Sequence, residues 1–271
     1  MNIVWHQTSF PSSAAVTSKL SELPKLPIAV AILTPANPTP EITQALEQAL
    51  MSASFAESFW LGQATTKITD FAAARNSLLA QVSEPWVMWL DGDEWLAQPD
   101  QAAQILGFAL NHASSDEKLL GFTLNRRDWF HRQPLRYGEP AQVNLVRLHR
   151  TQAGEFYQAV HEVFQPKLPG FFMPLSLQLE HRSHQSLNHF FAKICDYAQL
   201  RARELSQAKT QRAKWQIILE LLIWPPAKFG WNYFWLQGWR DGWRGFSYAL
   251  MMSLHSALVR IFLWEELKLR H

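Results

Sequence analysis

Three carboxylates, Asp91, Asp93 and Glu94, stand within four positions directly after the apolar run Trp86-Val87-Met88-Trp89-Leu90. Acidic groups crowded in this way repel one another unless a cation or a shared proton lowers the cost. A hard divalent ion such as Mg2+ or Mn2+ suits them, because it takes oxygen ligands and leaves positions for phosphate. An isolated D-x-D is also what an acidic turn after a core strand looks like, so the pattern needs supporting residues. Candidates are Arg75, the pair His161-Glu162, and the group His181, His184 and His189. Neutral imidazole binds metals and carries protons near pH 7, and a carboxylate can act as a general base.

The run before the acidic cluster lacks alternation, which predicts a strand buried on both faces, as in a parallel sheet covered by helices. Gly92 permits a sharp exit, so the acids gather at the strand's C-terminal edge, where open α/β sheets bind ligands. Upstream, residues 28–33 read as a first buried strand, closed by Thr34-Pro35 and Asn37-Pro38. Pro40 opens a helix over Glu41–Met51, and Phe55–Leu61 reads as a second strand ending at Gly62. Ile68, Phe71, Ala72, Arg75, Leu78, Leu79 and Val82 then share one helical stripe, with Asp70 near its start. Arg75 on that stripe calls for an anionic partner, either the Asp91–Glu94 cluster or a bound phosphate, unless it reaches water at the stripe's edge. This strand–helix–strand–helix–strand order makes the front half α/β.

Beyond the acidic edge, Pro99–Asn111 reads as a helix, and Leu119–Leu124, Val143–His149 and Leu175–Leu179 as strands. Arg126–Glu139, rich in Arg, aromatics and Pro, reads as a connecting segment able to cover a site or lie in solvent. Leu187–Leu205 has a helical pattern, and residues 214–224 form an apolar helix stopped by Pro225-Pro226.

Composition narrows the class. At 271 residues there is room for one large α/β domain with a helical appendix. Twenty-five basic against 23 acidic residues argue against a dedicated nucleic-acid binder. A single cysteine, Cys195, excludes an intramolecular disulfide and a cysteine-based zinc site and fits a reducing compartment. The start of the chain has no basic-then-apolar leader, and residues 7–27 read as loose. Thirteen Trp and 17 Phe are many, and a large share follows position 215. The apolar run Tyr248–Trp264 falls short of the roughly 20 residues that span a bilayer. Aromatics interleaved with Arg and Lys, followed by an apolar helix, suit the headgroup layer of a membrane. A helical subdomain packing on the α/β core, or an oligomer contact, would use the same residues.

Taken together, these pieces resemble the family 2 glycosyltransferases, within them the group similar to lipopolysaccharide-core β-glucosyltransferases. The residues that carry the resemblance are Ala74-Arg75-Asn76, the block Trp86–Leu96 with LDGDEWL, and Arg147-Leu148-His149-Arg150. Val160-His161-Glu162 and His181 follow, then Lys193 with Tyr197, and Asp241-Gly242 with Gly245-Phe246. The blocks keep their order from about residue 68 to 264.

The resemblance implies a GT-A (Rossmann-like) fold, a mostly parallel sheet with helices on both faces, followed by an aromatic-rich helical C-terminal extension. It divides the chain into a loose lead-in over 1–26, a GT-A-like domain over 27–185 and a helical, aromatic-rich region over 186–271. It implies a nucleotide-sugar donor, a divalent metal (Mn2+ or Mg2+), a lipid-linked or cell-envelope glycan acceptor, and a site on the cytoplasmic face of a membrane, bound peripherally. By its pattern Asp91 and Asp93 lie at the donor diphosphate with Asp93 the more direct metal ligand, His181 is a late metal ligand or acceptor contact, and Arg75 and Asn76 contribute to donor binding. An inverting transfer needs a base, for which Glu162 is the first candidate and Glu94 the second. The chain departs from the family's pattern in one respect. Leu90 follows Leu33 by only 57 positions, and Phe55–Thr69 holds no acidic turn of the kind that grips the nucleoside. That departure keeps a second expectation open, a catalytically inactive GT-A-like protein that binds a glycan or a partner at the membrane.

Overall fold

The computed structural model describes residues 3–8, 25–35, 40–64, 70–158, 163–184, 186–207 and 214–268. In chain order its elements are β1 (Ile3–Thr8), β2 (Leu26–Pro35), α1 (Pro40–Ser52), β3 (Ala56–Ala64), α2 (Phe71–Leu79), β4 (Trp86–Asp91), β5 (Glu94–Leu96) and α3 (Pro99–Ser114). They continue with β6 (Leu119–Phe130), β7 (Gln133–Pro134), a 3-10 turn (Glu139–Gln142), β8 (Val143–Arg150), β9 (Gly154–Tyr157), β10 (Val163–Pro166) and β11 (Phe171–His184). Three longer helices follow, α4 (Leu187–Gln207), α5 (Lys214–Gly230) and α6 (Trp243–Lys268); a π-helical turn (Trp231–Trp235) and a 3-10 turn (Gly238–Asp241) lie between α5 and α6. The chain divides into two compact units, residues 1–126 with 144–181, and residues 127–143 with 182–271.

The first unit is built on a sheet in the order β1-β3-β2-β4-β8-β6-β11-β5. The unbroken apolar runs of β2 and β4 are covered on both faces, as their sequence requires. Ile28, Val30, Ile32, Met88 and Leu90 face Ala49 of α1 and Ala102 and Leu106 of α3. Ala31, Leu33, Val87 and Trp89 point the other way, against Ala72, Ala74 and Leu78 of α2. The alternation follows from the two-residue period of the strand. The alanines let these helices sit close to the sheet.

The sheet is mixed, which corrects the expectation of a mostly parallel one. β2 runs parallel to both β3 and β4, whereas β1 lies antiparallel on β3, β8 on β4 and β5 on β11. Parallel neighbours need a crossover of a dozen or more residues, usually a helix. Between α3 and α4 the described chain has only strands, turns and one short 3-10 turn, so its strands return by tight connections instead.

Other expectations shift. Residues 3–8, expected as part of a loose lead-in, form an edge strand registered on β3 from Ile3↔Ala64 to Thr8↔Phe59. The stretch expected as a connection from Arg126 begins as the end of β6 and turns back through β7. His131 and Arg132 take positive φ values of 47° and 59°, the conformation a two-residue hairpin turn demands. β11 is far longer than Leu175–Leu179. Residues 9–24, 36–39, 65–69 and 159–162 lie outside the described residues, and with them Asn37-Pro38, Ile68 and the pair His161-Glu162.

In the second unit, α5 runs through Pro225 and Pro226 to Gly230 rather than stopping before them. Interior prolines cost a helix roughly 3 kcal/mol or more each. Here tertiary contacts offset that cost: Pro225 is buried, and its carbonyl accepts a hydrogen bond from Ser253 Oγ of α6 at 2.7 Å. Helix α6 packs Tyr248, Met251, Met252 and Leu258 around Phe130, Leu135, Phe190 and Ile194. Residues 127–143 join this unit because its helices hold them. Asp241 Oδ2 accepts from the Arg136 and Tyr137 backbone N–H groups at 2.9 Å each, and Asn232 Oδ1 accepts from Glu139 N at 2.9 Å.

Candidate functional site

The acidic cluster sits where the sequence places it, at the C-terminal end of β4. Asp91 is opposite Leu33 at the end of β2. Gly92 makes the exit: its N–H donates to Leu33 O at 3.1 Å, and a Cβ there would lie 3.3 Å from both that oxygen and the Thr34 side chain. The chain then enters β5, whose Glu94 pairs with His181 of β11. The tight turn and the pairing of β5 with β11 therefore bring Asp91, Asp93, Glu94 and His181 together from three strands and the turn between two of them.

Two arginines organise these groups. Arg75, inside α2 and only 1% exposed, donates from Nη2 to Asp91 Oδ1 at 2.8 Å. Its guanidinium carbon lies 5.1 Å from the centre of the Trp89 ring and 5.4 Å from that of Phe156, so the cation is flanked by aromatic faces. Arg147 of β8 donates from Nη2 to Asp91 Oδ2 at 2.8 Å and to Glu94 Oε1 at 2.6 Å. The Asp91 backbone N–H donates to the other Glu94 oxygen at 3.1 Å. Arg126 approaches Glu94 Oε1 at 3.8 Å. Asp93 has a different partner: its side chain, like that of Asp91, is about one-third exposed, and Oδ2 lies 3.3 Å from His181 Nε2.

The electrostatics separate Asp91 from Glu94. Burial would raise the Asp91 pKa, but Arg147 and Arg75 more than offset it and hold the carboxyl well below the usual carboxylate range. Glu94, with no exposed surface, is pushed upward by burial, against the pull of Arg147 and with the Asp91 charge adding to the rise. The same two carboxylates outweigh burial at Arg147 and strengthen its hold on the proton. Behind the cluster His149 is wholly buried. Its Nε2 accepts from Trp89 Nε1 at 2.9 Å and its Nδ1 donates to Arg150 O at 2.8 Å, the neutral tautomer, and burial pushes its pKa down to about 4.

The expected site residues thus divide. Arg75, Asp91, Asp93, Glu94 and His181 come together. Glu162 lies outside the described residues. Asn76 does not join the cluster: its amide donates to Phe156 O and accepts from Phe156 N, both at 2.9 Å, and so fastens α2 to β9. Glu94, expected as an alternative base, is enclosed and bonded at both oxygens. Asp91, expected as a metal ligand, has each oxygen taken up by a guanidinium. Arg147 and Arg126 were not among the expected site residues. The available signal was the alternation of Val143–Arg150, which sends Arg147 and His149 to the same face of β8 and leaves a cation that needs an anion.

Among the described residues, no three His, Cys, Asp or Glu side chains form a group able to hold a metal ion. Asp93 and His181 are the side chains of the cluster that could contribute to holding a cation, together with substrate phosphate and water.

No protein-family model matches the chain, and no curated protein matches it. Among solved structures the chain is similar to S. aureus TarS. The crystal structure of TarS matches at 10% identity and TM-score 0.31, over 71% of this chain and 42% of that one. TarS 1–349 matches at 11% and 0.33, and TarS 1–349 in complex with UDP at 11% and 0.34, each over 90% of this chain and 92% of the other. This chain spans less than half the length of the first of these. At such scores the likeness carries no weight on fold or function.

Proposed function

We propose that this chain is a glycosyltransferase of the GT-A kind, moving a sugar from a nucleotide-sugar donor to a lipid-linked or cell-envelope glycan acceptor with inversion. The sequence blocks suggest the family. The observation that carries the reading is the division among three neighbouring carboxylates: Asp91 and Glu94 engage Arg75 and Arg147, while Asp93 lies against His181.

In this reading Asp93 and His181 hold Mn2+ or Mg2+, which when bound neutralises charge on the leaving diphosphate. Arg75 and Arg147 supply fixed positive charge beside it, kept in place by Asp91 and Glu94 so that little reorganisation accompanies the reaction. Glu94 acts as the buried anion that positions Arg147. Glu162 takes the proton from the acceptor hydroxyl. A non-catalytic glycan- or partner-binding protein is the second reading. It is favoured by the double engagement of Asp91, which already occupies cationic groups that a diphosphate would meet.

Calorimetry with UDP-, GDP-, ADP- and CMP-sugars, with and without Mn2+ and beside Asp93→Ala, separates the two. Metal-dependent binding of one donor, lost in the variant, is the expected result. Failure of every donor to bind the folded protein would sink the transferase reading and leave the binding protein.

A further inference from the structure

The second unit turns an unusual surface toward solvent. On α5, Trp215, Ile218, Leu219, Leu222 and Ile223 are all exposed, and they recur at i, i+3, i+4, i+7 and i+8. A stripe with that spacing ordinarily faces a core; here Ile217 and Pro225 mark the inward side, and the stripe points out. The turns that follow add Trp231, Phe234, Trp235 and Trp239, each about half exposed or more. Soluble proteins seldom leave so many large apolar side chains uncovered without a partner for them.

Charge indicates the partner. From residue 214 to 264 there are five basic residues, Lys214, Lys228, Arg240, Arg244 and Arg260, against Glu220 and Asp241. Both acids are turned to internal partners. Glu220 pairs with Arg260 at 3.4 Å, and Asp241 accepts from the Arg136 and Tyr137 backbone. Lys228 in turn is held by Glu139, so the cations that set the character of the surface are Arg240 and Arg244. Arg240 and Arg244 lie among the aromatic groups, over Tyr137 at 4.4 Å and Trp243 at 5.1 Å.

We propose that this surface, the outward stripe of α5 with the aromatic turns over 231–241, binds the headgroup layer of an anionic phospholipid bilayer and lies in that layer without crossing it. Trp beside Arg is the composition that settles at the membrane interface. A second copy of the chain fits less well. A two-fold contact would bring the same arginine-bearing face to itself, where the acids Glu220 and Asp241 are already engaged within the unit. Crossing fits less well too. The 26-residue α6 is long and apolar enough to span, but it packs on α4 through Phe190 and Ile194. Helix α4 exposes Asp196, Arg201, Arg203 and Glu204, charges that hydrocarbon would not accept. This surface stands independently of the transferase reading.

The test is flotation of the full chain with vesicles of phosphatidylcholine alone or with phosphatidylglycerol added, together with quenching of Trp fluorescence by brominated lipid. The chain is expected to float with the anionic vesicles, to be quenched there, and to dissociate as salt rises. The double variant Leu222→Gln/Trp235→Gln, altered only at exposed positions and checked for native circular dichroism, should bind on the order of tenfold more weakly or less. Absence of flotation, or flotation unchanged in the variant, overturns the proposal. Self-association without flotation, abolished by the variant, assigns the surface to a second copy. Resistance of the cellular protein to alkaline carbonate extraction shows that α6 crosses and overturns the in-plane arrangement. Donor binding by the same variant should match the unaltered chain, so either idea can fail alone.

Discussion

Glu94 Oε1 lies 2.6 Å from Arg147 Nη2, with no part of Glu94 reaching solvent. Removing one member of such a buried pair strands the other charge, which costs about 3–5 kcal/mol. Arg147→Met should therefore lower the unfolding free energy by an amount in that range, read in urea as a lower midpoint at unchanged m value. Adding Glu94→Gln in the same chain should recover a large part of the loss. If the two substitutions simply add, the pair is not coupled as described.

His149 gives the protein a pH dependence with a definite sign. Its folded pKa of about 4 lies below the ordinary 6.5, so between those values the unfolded chain binds the proton and the folded chain does not. Stability should fall as pH drops from about 6.5 to about 4, by roughly 3 kcal/mol at most for one group shifted this far. Thermal melts across that window, compared with His149→Asn, check it. The substituted chain should show a flatter profile, and an unchanged slope would mean that other groups carry it.

Asn76→Ala should remove both hydrogen bonds to the Phe156 backbone and leave that peptide under-satisfied, costing about 1–3 kcal/mol. In the folded variant, donor affinity measured by calorimetry should match the unaltered chain. A selective loss of donor affinity with no loss of stability would return Asn76 to the binding site.

Gly92→Ala places a methyl 3.3 Å from Leu33 O and the Thr34 side chain. Crowding of this kind costs about 1–3 kcal/mol, and the turn that holds Asp93 near His181 must shift to relieve it. A melting point at least a few degrees lower, with weakened Mn2+-dependent donor binding, is the expected outcome. A variant indistinguishable in both would show that the turn has slack.

The sequence by itself determined the parts whose physics is local. Unbroken apolar runs specify β2 and β4 as strands covered on both faces. Asp70 caps α2, its side chain accepting from Ala73 N at 2.9 Å, and the stripe of α2 carries Arg75 to the acids. The Asp91-Gly92-Asp93-Glu94 turn follows from one glycine after one buried strand. Tertiary structure decided how these charges are shared. Arg147 lies 53 positions from Glu94, and only the antiparallel pairing of β8 with β4 brings its guanidinium between Asp91 and Glu94. Strand direction was hidden for the same reason, since an apolar segment reads alike whichever way its neighbour runs. Asn76, next to Arg75 in sequence, serves a strand 80 positions away. The prolines of α5 show the converse: a strong local stop signal yields where Ser253 and a buried contact hold the helix together. Residue types told which groups needed partners, and the fold chose them, because a partner distant in sequence becomes a neighbour only when the sheet closes around it.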